Sequence, residues 1–158
     1  MKNKINNIII IILSVIIISY IGLFVFGYRV YAVKTASMHP DIKQGSIVIA
    51  KKLSADEVFD ELTVGSDIVF RTSSNTTLTH RVIMLDEVND KLQTQGIREG
   101  SSKDAVISSS NVLGKVSFSI PLIGYVVMLI QSHYFIILAL CALAIYIVIT
   151  LLIKQLKK

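Results

Sequence analysis

One cysteine, no tryptophan and two prolines leave this chain of 158 residues little with which to staple a small domain. With Cys141 alone, no disulfide forms within the chain and no cysteine cluster holds a metal. Cys141 falls inside a long apolar run and reads as a small apolar residue there. Charge of either sign is missing from two stretches, 8–26, "IIIIILSVIIISYIGLFVF", and 134–153, "YFIILALCALAIYIVITLLI". Acidic residues are the scarcer sign, 11 against 16 basic, for a net charge of +5. The whole excess sits at the ends, on Lys2, Lys4, Lys154, Lys157 and Lys158. The segment between the two apolar runs is therefore neutral, and it lacks the electrostatic footprint of a nucleic-acid partner.

Each apolar run, at about 1.5 Å per residue, covers roughly 30 Å, the hydrocarbon thickness of a bilayer. Lysines flanking the runs on their outer ends predict that both termini stay in the cytoplasm. The chain then divides into a cytoplasmic N-terminus (1–7), a transmembrane helix (8–27), an extracytoplasmic β-rich domain (28–120), an interfacial segment (121–133), a second transmembrane helix (134–153) and a cytoplasmic tail (154–158). A rival reading takes the start as a leader cleaved after Ala32, in "VYA". The apolar run is longer than the roughly 7–15 residues of a leader's core, which favours an uncleaved anchor.

Between the runs, short alternating or apolar segments bounded by turn residues predict strands over 46–53, 67–72, 78–88, 91–95 and 112–121. "SADEVFDEL" (54–62) opens on Ser54 with Glu57 three residues later, a capping box that predicts a short helix. The segments 78–88 and 91–95 form a hairpin across Asn89-Asp90, and 96–104 is a Gly/Ser loop. On strand 78–88, alternation sets Leu78, His80, Val82 and Met84 on one face. The fold class expected is a mainly β extracytoplasmic domain with one transmembrane helix at each end.

Chemistry centres on "TASMHP" (35–40). A serine hydroxyl needs a base to take its proton, and a substrate oxyanion needs donors where charge builds up. Ser37 is the candidate nucleophile, with Thr35 two residues before it as a hydroxyl donor to the oxyanion. His80 is the candidate base, an imidazole among apolar neighbours. Asp104, after the Gly/Ser loop, is the candidate third member that holds the imidazole tautomer. His39 stands too close in sequence for a good bond to Ser37 and reads as a solvated turn residue. His133 reads as interfacial. Lys51-Lys52 offers a Ser–Lys alternative, but a catalytic lysine must be desolvated, and this pair reads as a solvated strand end. Asp86 and Asp90 belong to the hairpin end. Ser37 lies ten residues past Gly27, so even a stretched chain keeps it within about 33–36 Å of the membrane.

The order "TASMHP", "GSIVIAKK", "GSDIVF", "LTHRVI", "LQTQGIREGSSKD", "VLGKVSFSIPLIGYV" resembles type I signal peptidase, in its endoplasmic-reticulum-type or W-type branch. A histidine in "THRV", where the commoner bacterial branch has lysine, marks that branch. The resemblance implies a signal-peptidase-like β fold and a serine endopeptidase acting on secreted preproteins at a bilayer, without cofactor or metal. It implies Ser37 as nucleophile, His80 as base, Asp104 as the acid closing the "TxG…D" box, and Thr35 at the oxyanion-assisting position. The chain departs from the pattern at His39 (usually Glu), at Gly45-Ser46, at Ser66, and in the box reading Gly96-Ile97-Arg98-Glu99. An irregular loop over 96–104 also fits a catalytically inactive, membrane-anchored β module that binds or assembles secreted proteins. A soluble Ser–Lys autoprotease of related fold fits less well, given the two apolar runs.

Overall fold

The computed structural model describes residues 2–132 and, beyond them, the single positions 137, 140, 141, 145 and 149. Helix α1 (Lys2–Val25) leads into β1 (Tyr28–Ala32) and β2 (Ile47–Lys52). A 3-10 turn (Ala55–Glu57) runs into α2 (Val58–Glu61), followed by β3 (Asp67–Arg71), β4 (Thr77–Asp86) and β5 (Lys91–Gln95). After a second 3-10 turn come β6 (Val112–Ile120) and α3 (Ile123–Gln131). The strands form one six-stranded sheet in the order β1-β2-β6-β3-β4-β5, every pair antiparallel.

Because successive side chains point to opposite faces, central β3 serves two cores. Ile68 and Phe70 pack with Val82, Leu92, Leu53 and Val58 on one face. Val69, between them, packs on the other face with Val48, Ala50, Val33, Met38 and Ile42. Three of these, Val33, Met38 and Ile42, flank Ser37, so the second core is roofed by the segment that carries the candidate nucleophile. Met38 is wholly buried, and burying such a side chain is worth roughly 1.5–3 kcal/mol. A neutral hydrogen bond contributes about 0.5–1.5 kcal/mol net. Packing is thus the larger anchor of this turn.

Helix α1 contains a stretch, Asn6–Val25, with mean hydropathy 3.1 and none of its described residues buried, long and apolar enough to cross a membrane. It closes at Val25, and Gly27, at φ +80, makes the turn into the sheet that the apolar run had included in the helix. The expected second transmembrane helix (134–153) and His133 fall outside the described residues apart from those single positions. Within 121–133, the chain forms α3, docked on the sheet where Gly124 lies against the Ser46 backbone and the Tyr125 ring covers Gly45.

Two local readings are corrected. β1 was not anticipated as a strand, because "YRVYA" lacks a clean period and none of its residues is fully buried. It pairs with β2 from Tyr28↔Lys51 to Ala32↔Ile47. Met84 does not share the face of His80. A bulge between Val82 and Met84 resets the alternation, leaving Met84 exposed and turning Leu85 to the core.

Candidate active site

Ser37 stands at the head of a turn in which His39 N–H donates to Ala36 O at 3.1 Å and Ile42 N–H to Met38 O at 2.8 Å. The His39-Pro40 peptide is cis. With Met38 and Ile42 buried beneath, the Ser37 side chain faces β4. There, His80 pairs in register with Ile68 on β3 and is 8% exposed. The Phe70 ring tilts against the imidazole, centroids 6.1 Å apart.

The Ser37 hydroxyl and His80 Nε2 are 2.8 Å apart, and His80 Nδ1 lies 2.6 Å from Asp104 Oδ2. A carboxylate only accepts hydrogen bonds. Nδ1 therefore carries the proton it donates to Asp104, which leaves the Nε2 lone pair aimed at the Ser37 hydroxyl. Asp104 Oδ2 also accepts from Thr94 Oγ1 at 2.7 Å. Thr35 Oγ1 lies 3.1 Å from Ser37 Oγ, so the four residues expected from sequence come together as one hydroxyl–imidazole–carboxylate chain with a second hydroxyl beside it.

The irregular loop does not displace Asp104. Antiparallel bridges Gln95↔Lys103 and Leu92↔Ile107 bring the chain back alongside β5. Asp104 N–H donates to Thr94 O at 2.9 Å, and Gln93 Nε2 donates to Asp104 O at 2.9 Å. Gly96 is needed because its backbone presses on Ser37: a Cβ there would lie 2.8 Å from Ser37 O. Arg98 N–H donates to that same oxygen at 2.9 Å.

Sequence reasoning did not single out Thr94, Gln93 or Arg81. Thr94 is fully buried, and its placement directly opposite Val82 on β4 is a sheet pairing no linear motif displays. Arg81 donates through Nε and a terminal nitrogen to Asp67 at 2.7 and 3.0 Å, and to Asp41 at 2.9 Å. Bonds to Asp67 foremost, then Asp41, hold its guanidinium above its ordinary range. This bridge ties the Ser37 loop to β3 and to β4, the strand that carries His80.

The competing residues lie elsewhere in role. Lys51 donates to Glu61 at 2.8 Å, and that bond raises the pKa of its ammonium, the wrong direction for a base. His39 is exposed. Asp86 accepts from Asn89 within the hairpin, and Asp90 accepts from the Ser109 N–H at 2.9 Å, which ties the hairpin to the second 3-10 turn. Among the described residues no group of three His, Cys, Asp or Glu side chains is arranged to hold a metal ion.

A cleft of about 170 Å³ opens beside Ser37, between residues 32–35 and Thr76–Thr79. The β4 wall has a free backbone edge, whereas on the other wall Val33 N–H donates to Ser46 O and Gln44 Nε2 to Lys34 O. β4 pairs with β5 only from Arg81 onward, so Thr77 to His80 are bonded to β3 alone.

The family model described as "Signal peptidase, peptidase S26" matches residues 4–91, more than half of the chain. Over 100 residues the chain is 31% identical to Signal peptidase I W of Bacillus subtilis (strain 168), covering 61% of this chain and 51% of that protein. It thus spans about half the length of the curated relative it matches.

Proposed function

Because the chain belongs to the signal peptidase family, peptidase S26, we propose that it is a membrane-bound serine endopeptidase that removes N-terminal signal peptides from exported preproteins. The observation that carries this reading is the unbroken chain Ser37–His80–Asp104, with contacts of 2.8 and 2.6 Å, beside a cleft walled on one side by the free edge of β4.

In the proposed reaction the preprotein's cleavage segment lies extended in the 32–35/76–79 cleft, adding its backbone to the open edge of β4. Small side chains before the scissile bond suit the cleft's modest volume. Ser37 Oγ attacks the carbonyl carbon while His80 Nε2 takes its proton. The resulting oxyanion is met by the Ser37 N–H and the Thr35 hydroxyl, and Asp104 stabilises the imidazolium. His80 then gives the proton to the departing amine, the C–N bond breaks, and Ser37 carries the acyl group. Water, deprotonated by His80, adds to the ester, and its collapse frees the leader's carboxylate and restores Ser37. Loss of one oxyanion donor costs about 2.7–4 kcal/mol in such reactions, so Thr35→Ala should slow turnover by roughly a hundred-fold or more.

The membrane is part of the proposal. α1 anchors the domain, a second span over 134–153 returns the chain to the cytoplasmic side, and α3, with Ile123, Val126 and Leu129 exposed, rests on the outer face of the bilayer. The test is signal-peptide release by purified protein, wild type beside Ser37→Ala and His80→Ala. Cleavage by wild type and its loss in both variants is expected. An inactive wild type would instead support a binding module, and full activity in His80→Ala would remove the dyad.

A further inference from the structure

A second cleft, of about 420 Å³, opens between Arg81 and Ile83 of β4 and the loop 95–101. That loop is fixed against the nucleophile by the Arg98 N–H bond to Ser37 O and by the close approach of Gly96. Ile97 packs inward on the core cluster of Met38, and Gln95 Nε2 donates to Ser101 O at 2.6 Å. Residues 98 and 99 are left exposed at the cleft. Arg81 lines it too, but its guanidinium is committed to Asp67 and Asp41. Arg98 and Glu99 form no side-chain hydrogen bond or ion pair among the described residues. The cleft thus sets one uncommitted cation and one uncommitted anion beside Ser37.

Connectivity assigns the two clefts to the two ends of a substrate. α1 ends at Val25 and β1, starting at Tyr28, leads directly into the wall formed by 32–35, so the first cleft is on the anchor side of Ser37. A leader arriving from the bilayer fills that side with residues preceding the scissile bond. Residues following the bond then leave past the loop 95–101. We infer that the second cleft binds the first residues of the mature chain, and that Arg98 and Glu99 select substrates by the charge of those residues. This rests on the signal-peptide reading above.

The test compares two peptide substrates that differ only in having Asp or Lys at the second position after the cut. Wild type, Arg98→Glu and Glu99→Lys are assayed with both in detergent. The Asp/Lys ratio of kcat/KM should fall in Arg98→Glu and rise in Glu99→Lys, each by roughly three-fold at low salt, the scale of exposed charge pairs. Both shifts should shrink near 1 M salt. Unmoved ratios in variants that still cleave would overturn the cleft assignment while leaving the peptidase reading intact. In a second pair, with Asp or Lys placed before the cut instead, the ratio should hold, and shifts confined to that pair would overturn the assignment as well. A wild type that cleaves neither peptide would sink both.

Discussion

The Thr94 hydroxyl donates to the same Asp104 oxygen that accepts the His80 proton, so it orients the carboxylate without touching substrate. Thr94→Val keeps the shape and removes the donor. It should lower kcat by roughly ten-fold, the equivalent of the ~1.5 kcal/mol a hydrogen bond to a charged group contributes. KM should hold, and Thr94→Ser should recover most of the loss; equal falls for both variants would mean packing alone. Glu57 offers a separate test by pH. Bonds from the Ser54 N–H foremost, then its hydroxyl, depress the Glu57 pKa. A depressed folded value contributes stability above the unfolded pKa, near 4.3, and loses it as pH falls through the folded value. Glu57→Ala should therefore melt slightly below wild type at neutral pH, and the gap should close in acid. Ser37 and His80 were legible in sequence because each sits in a short motif. Thr94 was not, because its partner lies ten residues away across a loop.

Strands, turns and the capping box were read correctly wherever a clear period met a turn residue, as at Ile47–Lys52 and in the hairpin around Asp90. The failures have two physical sources. β1 is an edge strand with no fully buried residue, so it carries no alternating signal. The β4 bulge adds a residue that resets the faces, and only the pairing partner reveals it. The Asp67–Arg81–Asp41 bridge is likewise a product of pairing, joining three separate elements. Its members differ in weight. The Arg81–Asp67 pair is double and partly buried, while Asp41 is about half exposed. Arg81→Met should cost about 1.5–3 kcal/mol of stability and loosen the Ser37 loop. Asp41→Asn should cost under about 1 kcal/mol. Chemical denaturation in mild detergent ranks them, and an equal loss would contradict the assignment.

For the molecule as a whole, the proposed function sets an anchored enzyme against an anchored substrate, at a concentration governed by membrane area, not bulk volume. In proteoliposomes holding both, diluting the suspension should leave the cleavage rate of a membrane-inserted preprotein unchanged, while the rate on a soluble peptide falls in proportion. The apolar run behind α1 was plain in sequence; how the sheet sets Ser37 against His80 was not, since β6, last in the chain, lies between β2 and β3. The most direct test is to trap the acyl-enzyme by rapid acid quench during turnover of a signal-peptide substrate and map the adduct by mass spectrometry. An acyl group on Ser37 in the wild type, absent in His80→Ala, is the predicted result. Cleavage that proceeds with the adduct on another residue, or undiminished in Ser37→Ala, would contradict it.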